Sequence, residues 1–377
     1  MFHVKQETPA ALQFLDEALL EARRQDLFRD RPPPRPKGSP SFCSNDYLAL
    51  ASRACPVPAA PTGAGASRLV AGERAEHVQL ERAAADYVML QDALVFSSGY
   101  AANVGLLSSL ASSADLIVSD ELNHASLIDG ARLSRARIEI VPHLDLAAVQ
   151  RALEAPRAGR AFVVTESYFS MDADAPDLAA LRHLCDAHHA ALLVDEAHAL
   201  GVLGPEGRGL CAKAKIHPDA LVGTFGKAFG AGGAFVAGCR TLTTWLWNRA
   251  RPFVFSTGLS PALAAAAAAG VRTAAAESWR REQVAAGAAL FRNGLTQLGL
   301  RLSGFGHIIP WIVGESAQAL GLAEALRMRD IDVRAIRPPS VAVGTARLRF
   351  TVTAAHQIAD LERAIAVIAD ISKRGPG

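Results

Sequence analysis

A single lysine in a glycine-rich segment gives the first indication of chemistry in this chain. Lys227 lies in GTFGKAFGAGGAFVAG (223–238), directly after the apolar run 220–222. A lysine amine among small residues, with little solvated surface, is the group that forms a Schiff base with an aldehyde cofactor. The competing interpretation is a phosphate-binding P-loop, but that motif needs serine or threonine after its lysine, and Ala228 stands here. The segment therefore favours a Schiff-base lysine.

A second chemical segment, Asp195–His198 (DEAH), follows the apolar run 190–194. A carboxylate at the end of a buried strand is costly unless it has a partner, and a protonated pyridine nitrogen is such a partner. His198 is then close enough to reach the phenolic oxygen of the same ring. DEAH also occurs in helicases, but a helicase needs an upstream P-loop, which this sequence lacks. We therefore take Asp195 and His198 as candidate cofactor ligands.

Three more segments supply groups for an anionic, aromatic ligand. Ser98, Gly99 and Tyr100 follow an apolar run and open a predicted helix, whose free backbone N–H groups suit a phosphate. A plain capped helix explains them equally well. Thr224 stands three residues before the lysine, close enough to help hold the phosphate. His124 could lie flat against an aromatic ring, although alone it is more simply a structural histidine.

The elements that position these groups are predicted from short apolar runs that alternate with helical stretches. Most runs are β-branched or aromatic and end in polar residues or glycine, as expected of strands buried on both faces. This rhythm predicts an α/β domain with a mostly parallel sheet, in which ligands bind beyond the carboxyl ends of the strands. The predicted strands are 93–96, 116–118, 138–141, 161–165, 190–194, 220–224 and 234–237.

Beyond this region the rhythm changes and predicts a smaller α+β lobe, with strands 308–313, 333–336 and 346–352 and helices 316–330 and 358–373. An alanine-rich tract, 262–289, is interrupted by charged residues and predicts one long helix joining the lobes rather than a membrane span. A further helix at about 9–28 is expected to pack on the small lobe or on a partner subunit. The predicted divisions are an N-terminal helix and arm (1–43), a large cofactor-binding domain (44–260) and a small domain (261–377).

Composition sets the class of protein and excludes several kinds of partner. The chain has 377 residues, a formal net charge of +2, 50% hydrophobic and 20% charged residues, as expected of a globular protein with two lobes. Without a basic or acidic block, nothing indicates nucleic acid or a membrane surface as a partner. The five cysteines include no CxxC pair and the N-terminus lacks the apolar core of a signal peptide, which favours the cytoplasm. No histidine–carboxylate group has metal-ligand spacing, so no metal is expected.

Taken together, the motifs occur in an order that resembles the α-oxoamine synthases, a family of pyridoxal 5'-phosphate (PLP) enzymes. The order is FSSGYAAN (96–103), NHAS (123–126), SMD (170–172), DEAH (195–198) and T-x-x-K (224–227). The resemblance covers nearly the whole chain and includes SNDYLAL (44–50), GAGASRLVAG (63–72), RPFVFSTG (251–258) and the segment 336–356. It implies the aspartate aminotransferase-like fold of PLP transferases, fold type I, and a homodimer with a shared active site.

The resemblance implies a role in PLP binding for each motif. Lys227 would carry PLP as a Schiff base and then act as the base that removes the Cα proton of the amino acid. Asp195 would pair with the pyridine nitrogen, and His124 would stack on the ring. The remaining contacts would be Ser170 and His198 to the phenolic oxygen, and Ser98, Gly99, Tyr100 and Thr224 to the phosphate, with Ser256 and Thr257 of the partner subunit.

The resemblance also implies the substrates. Members of the family condense an amino acid with an acyl thioester and release carbon dioxide, and SRLVAG, LNHASLIDGARLS and AIRPP most resemble members that join L-alanine to a pimeloyl thioester in biotin synthesis. Asn45 and Arg349 would hold the amino-acid carboxylate, for which a guanidinium supplies a bidentate fork. Arg337 is a further candidate for that contact, and Arg29 for the distal end of the acyl chain. Ser67, where glycine-selective members have threonine, leaves room for the alanine methyl.

Several positions beside the motifs depart from the family pattern and leave alternatives open. Ala64 and Ala173 replace a commoner serine and glycine, Ala199-Leu200 follow DEAH in place of small or hydroxyl residues, and 27–42 is short. These departures concern specificity more than chemistry. The alternatives are an α-oxoamine synthase that takes glycine or another acyl thioester, a PLP aminotransferase, and a non-catalytic protein of the same fold. The thioester carrier, coenzyme A or a carrier protein, is also open.

Overall fold

The computed structural model describes residues 8–29, 41–53 and 60–374, with only the backbone for 373–374. The helices in these ranges are α1 (Phe14–Arg24), α2 (Ala75–Val88), α3 (Gly99–Leu110), α4 (Ala125–Ser134), α5 (Leu146–Glu154), α6 (Leu178–Ala187), α7 (Gly209–Ala214), α8 (Arg240–Arg249), α9 (Arg251–Val254), α10 (Pro261–Ala276), α11 (Ser278–Gln297), α12 (Ser316–Arg327) and α13 (Ile358–Arg374). The strands are β1 (Asp92–Phe96), β2 (Leu116–Asp120), β3 (Arg137–Val141), β4 (Ala161–Glu166), β5 (Ala190–Asp195), β6 (Ala220–Thr224), β7 (Ala234–Gly238), β8 (Ile308–Gly314), β9 (Arg334–Ile336) and β10 (Ala346–Thr351).

The large sheet has the strand order β1-β7-β6-β5-β4-β2-β3. Strands β2 to β6 run parallel to one another, whereas β7 is antiparallel to both of its neighbours, β1 and β6. Strand β1 therefore points the same way as the parallel strands. All carboxyl ends except that of β7 meet at one edge of the sheet, which is where a ligand site is expected.

Helices cover both faces of this sheet because successive side chains of each strand point to opposite sides. Leu94 lies in an apolar cluster with Leu106 of α3, whereas the next residue, Val95, lies in a different cluster with Val271 of α10. Burial on both faces explains why these strands read as continuous apolar runs in the sequence.

A second sheet, of order β8-β10-β9, forms the small lobe and is antiparallel throughout. Its core contains Phe42, which stacks on Phe291 at a centroid distance of 5.1 Å. A few residues later, Tyr47 and Leu48 lie in a core cluster of the large sheet. The segment 42–50 thus belongs to both cores, and this fixes the polar residues that it carries between them.

Most of the predicted elements are present, and the mostly parallel α/β sheet is confirmed. Strand β3 differs from the expectation of two buried faces, because it lies at the sheet edge and exposes Arg137, Glu139 and Ile140. The prediction of one long helix over the alanine-rich tract 262–289 was wrong, because the tract forms two helices, α10 and α11. Glu277, with φ −101° and ψ 69°, separates α10 from α11, and its carboxylate accepts a hydrogen bond from Arg280 at 2.6 Å.

The N-terminal helix is shorter than predicted, since α1 ends at Arg24. The division of the chain at residues 44 and 261 stays a prediction. Over the described ranges, none of the helices has both the length and the apolar character needed to cross a bilayer.

Candidate active site

The carboxyl ends of neighbouring parallel strands place polar side chains together at one edge of the large sheet. Glu166 ends β4 and Asp195 ends β5, and the strand register sets the two side by side. Thr224 ends β6, the next strand. The loop after β2 adds His124, whose backbone N–H donates to Oε1 of Glu166 at 2.8 Å. The loop after β6 carries Lys227 to the same edge.

The amine of Lys227 lies against a buried imidazole. Its Nζ is 2.8 Å from Nε2 of His198. Burial lowers the pKa of Lys227 to about 8, although the nearby charges of Asp195 and Glu166 act in the opposite direction. Burial, with the charge of Lys227 as the next cause, lowers the pKa of His198 well below its usual value, so that this imidazole is neutral. A partly neutral amine beside a neutral imidazole suits both Schiff-base formation and proton abstraction.

A hydrogen-bonded chain connects Asp195 to His124. Nδ2 of Asn103 donates to Oδ2 of Asp195 at 2.7 Å and to Oγ of Ser126 at 2.9 Å. The Ser126 hydroxyl then donates to Nδ1 of His124 at 2.7 Å, and the Ser126 backbone N–H donates to the same nitrogen at 3.2 Å. Because Nδ1 accepts, the ring proton is on Nε2, and burial lowers the pKa of His124 despite the charge of Asp195. His124 thus presents an uncharged ring.

Glu166 is a buried acid beside Asp195. Burial first, and then the charge of Asp195, raise the pKa of Glu166 to about 8. The protonated form of Glu166 is thus favoured, which reduces the repulsion that two adjacent buried carboxylates would suffer.

The start of α3 lies beside the end of β6. Ser98 caps the helix, its Oγ accepting from the N–H of Ala101 at 3.1 Å, and Gly99 and Tyr100 occupy the first turn. Backbone N–H groups in a first turn have no acceptor within the helix. A Cβ placed on Gly99 would lie 3.9 Å from Cβ of Thr224, so the helix start and that threonine border one small space. Such a space suits a phosphate.

A buried arginine from the small lobe completes this edge. Nε of Arg349 donates to the carbonyl of Ser170 at 2.6 Å, and Nη1 donates to Oδ1 of Asn45 at 3.3 Å. Its Nη2 is buried without a hydrogen-bond partner among the described residues. A buried guanidinium N–H without an acceptor is costly, and a carboxylate ligand would supply that acceptor. The structure thus brings Asn45, Ser170 and Arg349 together.

The predicted residues Ser256 and Thr257 line a small cavity together with Ser97, the residue before Ser98, and Ser67 bonds to the segment of the chain that carries them. Oγ of Ser67 donates to the carbonyl of Val254 at 2.8 Å, and the side chains of Ser256 and Thr257 are exposed. No hydrogen bond within the described ranges joins these three side chains to the Lys227 amine. Their predicted roles depend on a second subunit and stay predictions.

Arg29 and Arg337 line a cavity of about 530 Å³ beside β9. Nη2 of Arg29 donates to Oγ of Ser340 at 3.1 Å. The guanidinium of Arg337 donates to the backbone carbonyls of Asp26 and Phe28, at 3.2 Å for the latter. In this structure Arg337 therefore holds the segment after α1, and its predicted contact with an amino-acid carboxylate stays a prediction.

Sequence reasoning missed two residues that orient the predicted ones. Asn103 links Asp195 to Ser126, and the hydroxyl of Tyr47 lies 2.6 Å from Nδ1 of His198. Both are polar residues inside segments that were already quoted for their resemblance, FSSGYAAN and SNDYLAL. Their presence there was the available signal, but only the fold shows which groups they contact.

This donor set fits PLP, which combines an aldehyde, an aromatic pyridine ring and a phosphate. The amine of Lys227 suits the aldehyde, and the carboxylate of Asp195 suits the ring nitrogen. The neutral ring of His124 suits the aromatic face, and the space between Gly99 and Thr224 suits the phosphate. Fold and site together define a PLP-dependent transferase of fold type I.

Comparison with known proteins agrees with this class. The family model described as aminotransferase class I and II matches residues 40–368, and the chain belongs to this family, in its α-oxoamine synthase branch. An 8-amino-7-oxononanoate synthase from Cellvibrio japonicus is 42% identical over 380 residues, which cover 95% of this chain and 96% of that protein. One from Anaeromyxobacter sp. (strain K) is 46% identical over 341 residues, covering 88% and 86%.

A solved structure of SPT with PLP is similar in fold. Its TM-score is 0.89 and its sequence identity 25%, with 98% of this chain and 99% of that chain covered. The predicted resemblance to the α-oxoamine synthases is therefore confirmed, and both of these relatives carry the name 8-amino-7-oxononanoate synthase.

Proposed function

We propose that this protein uses PLP to condense L-alanine with a pimeloyl thioester, giving 8-amino-7-oxononanoate, carbon dioxide and the free thiol. A bond forms between the alanine Cα and the acyl carbon, the C–S and Cα–carboxylate bonds break, and one proton is taken up. The observation that carries the proposal is the amine of Lys227, 2.8 Å from the buried, neutral His198 at the sheet edge. The named relatives, 42% and 46% identical over most of the chain, support the choice of substrates.

The chain's own residues would hold the cofactor in one orientation. When bound, PLP supplies an electron-withdrawing ring that stabilises negative charge at the alanine Cα. Asp195 is the partner for the ring nitrogen, and donors from Asn103 and the backbone of Ala197, at 2.7 and 2.8 Å, fix its two oxygens. The first turn of α3 and Thr224 would bind the phosphate.

Arg349 and Lys227 would act on the amino acid. The unpartnered Nη2 of Arg349 binds the alanine carboxylate, with Asn45 beside it. Lys227, with its pKa lowered to about 8, takes the Cα proton, since an appreciable part of the amine is neutral near pH 7. A base positioned in this way typically contributes ~10²–10⁴-fold in rate.

The far end of the thioester is assigned to the cavity beside β9. A pimeloyl chain ends in a carboxylate, and Arg29 at the cavity wall offers a guanidinium, with the Ser340 hydroxyl 3.1 Å away. The chemistry of carboxylate recognition by arginine supports this assignment. The identity of the carrier, coenzyme A or a carrier protein, is left to experiment.

A second candidate is favoured by the TM-score of 0.89 to SPT, a relative whose name refers to a palmitoyl group. On this alternative the chain takes a longer acyl thioester, and a different amino acid such as glycine or serine. Specificity for one methyl group is worth only ~1–3 kcal/mol, so slow reaction with glycine is compatible with either candidate.

The test is a product assay on the purified protein with L-alanine and a thioester panel: pimeloyl-CoA, pimeloyl-carrier protein, acetyl-CoA and palmitoyl-CoA. We expect the mass of 8-amino-7-oxononanoate and release of the alanine carboxylate as carbon dioxide. Lys227→Ala should abolish product, whereas Lys213→Ala, at an exposed lysine of α7, should not. Product from palmitoyl-CoA alone, or amino transfer to a keto acid without carbon dioxide, would reject the proposal.

We further propose a homodimer in the cytoplasm, in which each phosphate site also uses Ser256 and Thr257 of the partner subunit. Support comes from the surface: both residues are exposed in one chain, and Phe255 before them is 72% exposed. The described cysteines, Cys43, Cys185, Cys211 and Cys239, are free, which agrees with a reducing compartment.

Mixed dimers test whether the site is shared. Thr257→Glu places a negative charge where the phosphate of the partner's site would lie, and Lys227→Ala removes the amine. If sites are shared, a dimer of one Lys227→Ala chain and one Thr257→Glu chain contains one intact site, and mixing the inactive variants restores activity. If each chain uses its own Thr257, neither site is intact and mixing restores nothing.

A further inference from the structure

We propose that Tyr47 is a positioning residue for Lys227, acting through His198 in a hydrogen-bonded chain whose direction reverses when the free Lys227 amine gains or loses a proton. The proposal rests on the proposed role of Lys227 as a base, although it does not depend on which thioester is used. Tyr47 does not contact the Lys227 amine directly and reaches it only through His198.

The chain runs through four side chains. Nζ of Lys227 is 2.8 Å from Nε2 of His198, and Nδ1 of His198 is 2.6 Å from the hydroxyl of Tyr47. That hydroxyl is 3.2 Å from Oδ1 of Asn45, which also accepts from Nη1 of Arg349 at 3.3 Å. Tyr47 is fully buried and His198 is 8% exposed, so the proton arrangement must be satisfied within the protein.

With Lys227 charged, the number of protons allows one direction only. The ammonium has donors but no acceptor, so it donates to Nε2 of His198. A neutral imidazole that accepts at Nε2 carries its proton on Nδ1, which donates to the oxygen of Tyr47. The Tyr47 hydroxyl then donates to Oδ1 of Asn45. Every bond points away from Lys227.

With Lys227 neutral, the opposite direction becomes available. The amine nitrogen now offers a lone pair, and because a neutral amine accepts a hydrogen bond far more strongly than it donates one, His198 donates to it from Nε2. Nδ1 is then an acceptor, and the Tyr47 hydroxyl turns to donate to it. Asn45 keeps only the donor from Arg349. The imidazole stays neutral in both arrangements, consistent with a pKa held well below its usual value by burial.

The two arrangements differ in the number of bonds that use Tyr47. The charged state uses two, from His198 and to Asn45, whereas the neutral state uses one, to His198. Removing the hydroxyl therefore costs the ammonium form more than the amine form. Since one net hydrogen bond is comparable to the free energy of about one pKa unit, Tyr47→Phe should lower the pKa of Lys227 by on the order of one unit.

Other ionisable groups face this chain and are accounted for. Asp195 and Glu166 raise the pKa of Lys227, and Arg349 lowers it. His307, whose ring lies 4.2 Å from that of Tyr47, is neutral because burial lowers its pKa to about 3. Neither ring nitrogen of His307 has a hydrogen-bond partner among the described residues, so it does not compete for the Tyr47 hydroxyl.

The first test measures the Lys227 pKa directly in the full-length, cofactor-free protein. Brief labelling with acetic anhydride across pH 6–11, with the peptide containing Lys227 read by mass spectrometry, reports the neutral fraction of this amine. We expect the midpoint to fall by about one pH unit in Tyr47→Phe. An unchanged or higher midpoint would overturn the proposal.

Tyr168→Phe is the matched control. Tyr168 is also buried, and its ring lies 5.4 Å from that of His307, but its hydroxyl donates to the backbone carbonyl of Phe305. Losing this hydroxyl should leave the Lys227 midpoint where it is in the wild type. An equal shift in both variants would assign the effect to general loosening and reject a specific role for Tyr47.

The second test needs no variant, and so does not depend on Tyr47→Phe folding. Two-bond ¹H–¹⁵N correlation of the His198 ring in the cofactor-free protein identifies the protonated nitrogen. We expect Nδ1–H below the Lys227 midpoint and Nε2–H above it. A single tautomer across the range would reject the reversal. Because both tests read proton positions and not turnover, they stand even if the pimeloyl thioester proves to be the wrong substrate.

Discussion

Arg349 uses different nitrogens of one guanidinium for two tasks. Nε and Nη1 hold the Ser170 carbonyl and the Asn45 amide, and these contacts orient the group. Nη2 remains buried without a described partner and is the atom available to a ligand. Because orientation and ligand binding use different nitrogens, a lysine, which has one side-chain nitrogen in place of three, is predicted not to perform both tasks.

Arg349→Lys should raise KM for alanine by roughly 10- to 100-fold, because the variant loses charge-assisted hydrogen bonds to the carboxylate. The measurement is steady-state kinetics with alanine varied at fixed thioester. Arg347→Lys is the control: Arg347 is equally buried but binds Asp172 at 2.5 Å and the Met171 carbonyl at 2.9 Å. It should lower Tm and leave KM near the wild-type value. Equal KM effects in both variants would contradict the assignment.

The lowered pKa of Lys227 makes cofactor capture depend on pH. Only the neutral amine attacks an aldehyde, and burial favours the neutral form down to a midpoint of about 8. The rate at which the cofactor-free protein takes up PLP should therefore rise between pH 7 and 9 and level off above. Stopped-flow absorbance would follow this. A midpoint near 10.5, the ordinary lysine value, would show that the amine is solvated.

The residue types at the site were predictable because each follows a recognisable strand, but their connections were not. Lys227, Asp195 and His124 could be selected from the sequence as candidates, since a lysine, an acid and an imidazole have distinct chemistry. The chain through Asn103 and Ser126 depends on α3 packing on α4, a long-range contact that local sequence does not encode.

At the scale of elements, the ion-paired His143 connects the end of β2 to the loop after β4, both beside the site. His143, after β3, lies 2.9 Å from Asp120 through Nδ1 and 3.1 Å from Asp174 through Nε2. Its backbone N–H donates to Glu121 at 2.9 Å. These pairs connect the end of β2 to the loop that carries Ser170. Although burial acts against it, bonding to the two aspartates raises the pKa of His143 to about 10.

This raised pKa predicts a pH-dependent contribution to stability. The folded protein holds the His143 proton more tightly than the unfolded chain, so the contribution is complete below about pH 6.5 and is lost as the pH rises towards 10. The Tm difference between wild type and His143→Gln should thus be largest near pH 6, by roughly 2 °C or more, and shrink by pH 10. His217→Gln, at an exposed histidine, should show no such trend. A difference that grows with pH would refute the ion-pair account.

The elements themselves were well predicted, whereas their arrangement was only partly so. Strand positions could be found because burial on both faces leaves continuous apolar runs. The antiparallel direction of β7 and its place between β1 and β6 could not be predicted from the sequence, because strand pairing joins residues far apart in the chain. Similarly, the break at Glu277 is invisible in an alanine-rich tract in which every alanine favours helix.

At the scale of the whole molecule, exposed apolar side chains lie in the segments beside Thr257, where the predicted dimer contact would be. Leu69, Val70 and Phe255, which we call the patch, are exposed, and the two segments that carry them are joined by a hydrogen bond from the backbone N–H of Gly258 to the carbonyl of Ala66 at 3.0 Å. Val70 is 81% exposed in a single chain. An apolar patch of this kind beside Thr257 is the expected location of a second subunit.

Val70→Asp should weaken the dimer by ~10²-fold or more, because association would bury an unpaired charge. Sedimentation velocity over a dilution series would measure this. Val343→Asp is the matched control, since Val343 is 88% exposed in the small lobe and outside the patch. Dissociation of both variants, or of neither, would place the subunit contact elsewhere.

The position of β7 has a consequence for synthesis of the chain on the ribosome. Strand β7 lies between β1 and β6 although it follows both in sequence. Strand β1 can therefore pair with its neighbour in the sheet only after residue 238 has emerged, later than the parallel strands β2 to β6. Arg349 emerges more than a hundred residues later. The order of translation thus separates two events in time: the strands that border the predicted phosphate site are made before Arg349, the charged group proposed to bind the amino-acid carboxylate.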